Sequence, residues 1–301
     1  MEGGKYFRVC ELKAILSSWN IPLDLYEPLS KYHNRTTNHL QILMELYPAK
    51  PWDWKALSGN PNIKWEIVQD NPEKSWFRLS LNPNITWEIV CRHPDKPWDW
   101  EGLSQNPNIT VDIIKNNPDR PWQWGCLSYN PNITWEFIQR HLDKSWSWMG
   151  LSRNPNITWE IIKNNLDKPW NWSYVSANPN ITWEIVQRHP NVQWNYSNLS
   201  YNPNITWDIV ERFPEMGWNW WGLSWNPNTT WEIIQKYQDK PWDWDDLSCH
   251  PNITWEIVRR HPDKPWDWSY ISMNPNITWE IVHDNMDKPW DWHNISLNKF
   301  R

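Results

Sequence analysis

The sequence predicts an all-α solenoid of about eleven 24-residue repeats, and three observations carry that reading. A unit of the form Asn-Pro-Asn-Ile-Thr-Trp-Glu-Ile-Val-x-x-x-Pro-Asp-Lys-Pro-Trp-Asp-Trp-x-x-Leu-Ser-x recurs from residue 60 onward. A fixed short period of this kind is the mark of stacked repeats that bury one another's faces. Units open at Asn60, Asn82, Asn106, Asn130, Asn154, Asn178, Asn202, Asn226, His250 and Asn274, and a degenerate one, Thr36 to Gly59, precedes them with Pro48 and Pro51-Trp52-Asp53-Trp54. Of the 32 Trp, nine occupy unit position 6, eleven position 17 and nine position 19; the rest are Trp19, Trp221 and Trp225. A unit this small cannot bury three indoles alone, so stacked aromatic columns are expected to form the core.

Residues 1–35 lack the motif but carry Val9, Leu12, Ile15 and Leu16 at helical spacing, which predicts an N-terminal helical cap on a repeat domain spanning 36–301. Within each unit, Asn-Pro-Asn is turn chemistry, because Pro fixes its own backbone and Asn side chains bond back to nearby amides. Thr at position 5 then stands where an N-cap belongs. An acidic residue fills position 7 in all ten units that open at residue 60 or later, where it opposes the positive end of a helix. In the unit opening at Asn82, Ile85, Trp87, Ile89 and Val90 make one apolar side, and His93 followed by Pro94 stops the helix. Lys96-Pro97-Trp98-Asp99-Trp100 is expected to open a second helical turn, α or 3₁₀, with Pro at its first position and Trp100 and Leu103 buried together. Ser104 and Asn106 reverse the chain.

The pattern Leu-Ser-x-Asn-Pro-x-x-Thr, followed by an amphipathic turn and x-Pro-Asp, resembles the leucine-rich-repeat variant family over residues 36–297. That resemblance implies an α/3₁₀ solenoid with a right-handed superhelix. Trp departs from the family's small or aliphatic residues at three positions, and no cysteine-rich segment is present, so no redox role carries over. The Lys-Pro-Trp-Asp-Trp signature is more similar to Trp-rich tandem-repeat proteins of giant DNA viruses of amoebae, which implies a viral source and a host-cell setting.

The 29 basic and 35 acidic residues give a net charge of -6 with no basic cluster, which argues against polyanionic partners. No run approaches the roughly 20 apolar residues of a membrane helix, and the N-terminus has no signal-peptide core. Cys10, Cys91, Cys126 and Cys249 share no spacing, which fits a reducing, cytoplasmic location without disulfides or metal. Asn-Ile-Thr and Asn-Thr-Thr occur in nine units, and a turn and a helix cap explain them better than glycosylation.

Because the units are internal copies, variable positions stand out. Positions 20, 21 and 24 vary most, and equivalent positions of a solenoid form a ridge. Tyr129, Arg153, Tyr201, Trp221, Trp225 and Met273 lie on it and are residue types enriched at interaction hot spots. The units opening at Asn178 and Asn202 also lose Asp-Lys-Pro, which becomes Asn191-Val192-Gln193 and Glu215-Met216-Gly217.

The expected function is a non-catalytic scaffold that binds a partner protein, host or viral, along this ridge, with no cofactor. Alternatives are single-stranded nucleic-acid or glycan binding through Trp, and a self-assembling structural protein. No Ser/His/Asp or Cys/His set stands apart from the repeat. His250, where an Asn should open its unit, is expected to preserve the turn. Further expectations are an open rod of roughly 80–110 Å at about 8–10 Å per unit, an uncapped C-terminal face, and end-to-end association. The first full unit, two residues short and reading Lys74-Ser75-Trp76-Phe77-Arg78-Leu79, should alter the superhelical pitch.

Overall fold

The computed structural model describes residues 38–300; the proposed cap at 1–35 lies outside them. The described residues fall into two units, 38–50 and 51–300. In the first, the helix His39–Leu46 is capped by the Asn38 side chain, which accepts from the Gln41 amide at 3.1 Å. The second carries the repeats, all-helical throughout its described residues.

Each repeat is a helix of five or six residues followed by a second helical element of three to six, so the second is not uniformly the shorter one the sequence suggests. Trp87–Arg92 and Trp100–Gln105 are representative. Seven of the first helices are capped by Thr at position 5, through long bonds of 3.3–3.4 Å. The second helix begins later than expected. Pro97 lies ahead of it, and Asp99 is its N-cap, accepting from the Glu101 and Gly102 amides at 3.1 Å. Asn, Ser or Asp does the same at position 18 of most other units. A 3₁₀ turn replaces the second helix only at Leu79–Leu81, in the short unit.

The innermost core is aliphatic and polar. Ile at position 4 and Leu or its equivalent at position 22 are essentially inaccessible, as in Ile109 and Leu103, and beside them Ser at position 23 and Asn at position 1 are just as buried. Trp at position 17 is nearly buried, whereas every Trp at position 19 is half-buried. The aromatic columns therefore form an outer shell of the core, because an indole with an N–H to satisfy stays near backbone carbonyls at the edge of a helix.

Two hydrogen-bonded ladders explain why polar residues sit deepest. The position-1 Asn donates from Nδ2 to the position-1 carbonyl of the unit before it, and to the carbonyl of the Ser two residues ahead of that position, at 2.8–3.2 Å. Ser Oγ at position 23 accepts from the position-18 amide of the next unit at 2.8–3.2 Å. Burying these groups is tolerated because each is fully partnered. In the short unit the Arg78 amide still reaches Ser58 and Asn82 still reaches Asn60, so the two-residue deficit is absorbed within the unit and both ladders continue.

The repeat body is a closed ring rather than an open rod. Asp53 N donates to Ser296 Oγ at 3.2 Å, Asn60 Nδ2 to the carbonyls of Ser296 and Asn298 at 2.9 and 2.8 Å, and Asn62 Nδ2 to Lys299 O at 2.6 Å. Trp52 meets Trp292 edge to face at 5.1 Å, as Trp122 meets Trp100 at 5.2 Å. These are the contacts between consecutive units, now joining the last repeat to the first. Among the described residues the last repeat thus meets the first, where the sequence suggests an uncapped C-terminal face.

Consecutive second helices pack directly on one another, and Trp292–Leu297 packs on Trp54–Ser58, while consecutive first helices make no comparable contact. In a closed ring the layer with the shorter neighbour spacing is the inner one. Eleven second elements therefore form the inner wall. At about 8–10 Å between neighbours, their axes lie on a circle roughly 28–35 Å across.

Candidate functional site on the inner wall

On each second helix, positions 22 and 23 turn toward the core, which leaves positions 20 and 24, one helical turn apart, on the opposite, inner side. Eight large apolar side chains are strongly exposed among the described residues: Phe77, Leu81, Tyr129, Leu142, Met149, Leu166, Trp221 and Trp225. Five of them, Leu81, Tyr129, Met149, Trp221 and Trp225, occupy positions 20 or 24. Exposed apolar bulk is thus concentrated on one strip.

Position 21 does not belong to that strip. Gly102, Gly150, Gly222 and Asp246 are buried there. A Cβ added to Gly150 would lie 2.8 Å from Ser128 Cβ and 2.9 Å from the Tyr129 ring, and one added to Gly222 would lie 2.8 Å from Ser200 Cβ and 3.1 Å from the Tyr201 ring. Position 24 of one unit therefore lies over position 21 of the next. Leu81, Tyr129 and Tyr201 are each followed by glycine, at Gly102, Gly150 and Gly222.

The sequence-predicted residues divide accordingly. Trp221 is 58% exposed, Trp225 46% and Tyr129 41%; Arg153 is also exposed, while Tyr201 and Met273 are half-buried. Tyr201, Trp221 and Trp225 gather around Asp246, whereas Tyr129, Arg153 and Met273 belong to other units of the strip. Sequence reading put Asp246 on the ridge, at position 21, and gave it no role. Its signal was the pair Trp225 and Asp246, the one case in which a large aromatic at position 24 is followed by an acid at position 21.

Asp246 is 7% exposed, and its Oδ2 has no hydrogen-bond donor. Burial pushes its carboxyl up to about 6, with Asp243 and, more weakly, Asp245 acting the same way. The indoles of Trp225 and Trp221 are near enough to favour the anion, yet neither bonds Oδ2. Asp243 is committed as the helix cap, accepting from the Asp245 and Asp246 amides at 3.0 and 3.1 Å. Burial, then Asp246 and Asp243, raise the Tyr201 phenol, and burial with nearby acids raises that of Tyr270. Burial lifts the Cys249 thiol to about 11, which leaves it protonated and unreactive at neutral pH. Among the described residues no three His, Cys, Asp or Glu side chains are placed to hold a metal ion.

The aromatic rings outside the strip have structural duties. Trp at position 17 donates its indole N–H to the position-12 carbonyl of its own unit at 2.8–3.0 Å, closing the end of the first helix. His93, His189 and His261 at position 12 lie against Trp65, Trp159 and Trp231 of the preceding unit at 4.7–4.8 Å. The unit at Asn202 keeps this scaffold despite its altered turn: Gly217 takes a left-handed φ of 69°, and Trp218 still bonds Phe213 O at 2.8 Å. Asn at position 3 donates across units, as from Asn84 to Pro61 O and Ile63 O at 2.6 and 3.0 Å, so the amide nitrogen a glycan would need is already engaged.

His250 completes the Asn ladder with an imidazole. Nε2 lies 3.1 Å from Asn226 O, and Nδ1 accepts from the Asn252 amide at 3.1 Å. Only the neutral Nε2-protonated ring serves both, and burial holds its pKa down.

Comparison with family models, curated proteins and solved structures finds no match to the chain. No helix among the described residues is long and apolar enough to cross a membrane.

Proposed function

We propose that this protein is a non-catalytic interaction scaffold whose inner-wall strip, positions 20 and 24 of successive units, binds a partner protein. The observation that carries this reading is the concentration of exposed Leu81, Tyr129, Met149, Trp221 and Trp225 on one strip of a body whose other indoles stack or hydrogen-bond. Drift on an unconstrained surface favours small and charged residues, whereas aromatic and Met side chains are the types that interfaces select. The strip is centred on Tyr201, Trp221 and Trp225, where three large rings lie in adjacent units. The resemblance of the Lys-Pro-Trp-Asp-Trp signature to giant-virus repeat proteins is the support for proposing a partner met in the cytoplasm of a host cell.

Affinity purification from expressing cells, with and without nuclease, tests the reading when run beside a Tyr201→Ala/Trp225→Ala variant. Specific proteins retained through nuclease treatment and lost with the variant are expected. Capture that depends on nucleic acid, or that ignores the variant, would overturn it.

A further inference from the structure

Trp221 and Trp225 lie one helical turn apart on the exposed side of Trp220–Trp225, and the next second helix, Trp244–Ser248, brings Asp246 beneath them. Tyr201, from the preceding unit, packs over Gly222 on the other flank. We propose that this patch, formed by Tyr201, Trp221, Trp225 and Asp246, receives the guanidinium of an arginine side chain presented by the partner protein. The proposal rests on the reading of the strip as a partner surface and names the chemistry recognised there.

Two independent observations point to a cation. The first is the buried Asp246 carboxylate, whose Oδ2 has no donor although a buried carboxylate oxygen ordinarily has one. The second is the exposure of two indoles that stack on no other ring among the described residues, since neither Trp221 nor Trp225 joins the aromatic columns. The faces of aromatic rings attract cations, and tryptophan does so most strongly.

The surrounding charge is uniformly negative. Asp243 and Asp245 act on Asp246, Tyr201 feels Asp243 and Asp246, and Tyr270 feels Asp245, Asp246 and Asp267; no Lys, Arg or His acts on any of them. That excludes phosphate and other anions from the same place. The carboxylates are not arranged for a metal ion, which leaves an organic cation.

Between the two side-chain cations, the geometry favours arginine. Its planar guanidinium lies flat on an indole while its edge donates in parallel to a carboxylate, whereas an ammonium is a point charge that keeps its water. An arginine seated here lies on the exposed indoles with its charge beside the Asp246 carboxylate.

The test uses the full-length protein titrated by calorimetry at 150 mM salt with capped hexa-arginine and hexa-lysine peptides of equal charge. Hexa-arginine is expected to bind at least about tenfold more tightly than hexa-lysine. Asp246→Asn is expected to lose about tenfold for hexa-arginine, and Trp221→Ala/Trp225→Ala at least as much. Glu88→Gln removes the same charge from an exposed first helix and should change affinity less than about twofold. Lowering the pH from 7.5 to 5 should weaken binding to the parent protein as Asp246 takes up a proton. Asp246→Asn should flatten most of that dependence; Asp243, Asp245 and Asp267, the other acids about the patch, are common to both proteins, and Tyr201, Tyr270 and Cys249 stay protonated throughout. Melting curves confirm that each variant is folded.

Equal affinity for the two peptides, or equal effects of Asp246→Asn and Glu88→Gln, would overturn the arginine site. If partner capture still depends on Tyr201 and Trp225 in that event, the strip remains a partner surface with different chemistry. If both fail, the strip reading fails with them.

Discussion

The joint between the last repeat and the first, and any joint in the middle of the ring, use the same contacts for different reasons. Between the units opening at Asn82 and Asn106, the chain itself carries one unit to the next, and Asn106 bonds Ser80 O and Asn82 O at 2.9 and 3.0 Å. At the seam no peptide bond helps. Asn60 must find Ser296 O and Asn298 O, at 2.9 and 2.8 Å, from the far end of the sequence. The equivalence shows that the eleven-unit stack turns through a full circle in register, so the end problem that open solenoids solve with caps is solved here by closure. One contact is peculiar to the seam, an ion pair between His293 Nδ1 and Asp53 Oδ2.

The largest effects should come from cutting one rung of the Asn ladder at each kind of joint. Asn154→Ala leaves the buried Ser128 carbonyl and the Asn156 amide without partners, and leaves Asn130 O only the Ile133 amide at 3.2 Å. At about 1–3 kcal/mol for each of the two orphaned groups, a loss of at least about 2 kcal/mol is expected in urea unfolding. Asn60→Ala removes the same bonds at the seam and should cost as much. A markedly smaller loss at Asn60 would show that the ring opens readily at its seam. Native-state hydrogen exchange sharpens the comparison: the Asp53 amide on Ser296 Oγ should be protected to the same order as the Asp99 amide on Ser80 Oγ. Fast exchange at Asp53 alone would break the equivalence.

How far these features could be read from the sequence follows from the range over which each acts. Helix positions, the Thr caps and the buried Ile and Leu were legible because they are set within about ten residues by capping and apolar spacing. The ladders were half legible. Position-1 Asn had a sufficient local explanation as a turn residue, which Asn84 N to Asn82 Oδ1 at 2.8 Å bears out. The overlooked signal was its near-invariance together with Ser at position 23, which a turn alone does not demand, since Asp or Gly serves as well. Position 21 was misplaced on the ridge because it was compared only with its own copies; reading it against position 24 of the preceding unit reveals the Tyr129–Gly150 and Tyr201–Gly222 pairs. Closure was not legible, because a small rotation per unit leaves no mark on any one unit and becomes a ring only when summed.

A middle-sized effect should appear where the ladder breaks its own rule. His250 reaches one carbonyl, Asn226 O, where Asn in the same place reaches two or three. His250→Asn should restore the missing bond to Ser224 O and stabilise the protein by about 0.5–1.5 kcal/mol at neutral pH. The gain should grow in acid. Because burial holds His250 below the ordinary 6.5, the unfolded chain takes up the proton first, so the parent loses stability as pH falls below about 6.5 and the Asn variant does not share that loss. Asp246 acts in the opposite sense, since a carboxyl raised to about 6 favours the folded state as pH falls from there toward 3.8. The difference between His250→Asn and the parent cancels that contribution. A gain that stayed flat from pH 7.5 to 5.5 would show that the ring at His250 is not held neutral.

The smallest effect belongs to the seam's own ion pair. His293 and Asp53 are both substantially open to water, and an exposed pair of this kind contributes about 0.2–1 kcal/mol. The first cause holding Asp53 below its ordinary range is the Ala56 amide, with His293 a lesser one, so most of the carboxylate's stabilisation is capping that every unit shares. His293→Ala should therefore cost no more than about 1 kcal/mol, and less in 1 M salt. The Asp53 cap itself persists above the ordinary carboxylate value of 3.8 and is lost as the pH falls through the depressed native value, in the variant as in the parent. A loss at His293 as large as that at Asn60 would mean that the seam is held by charge rather than by the repeat's own ladders, and would make closure sensitive to pH across the range in which histidine titrates.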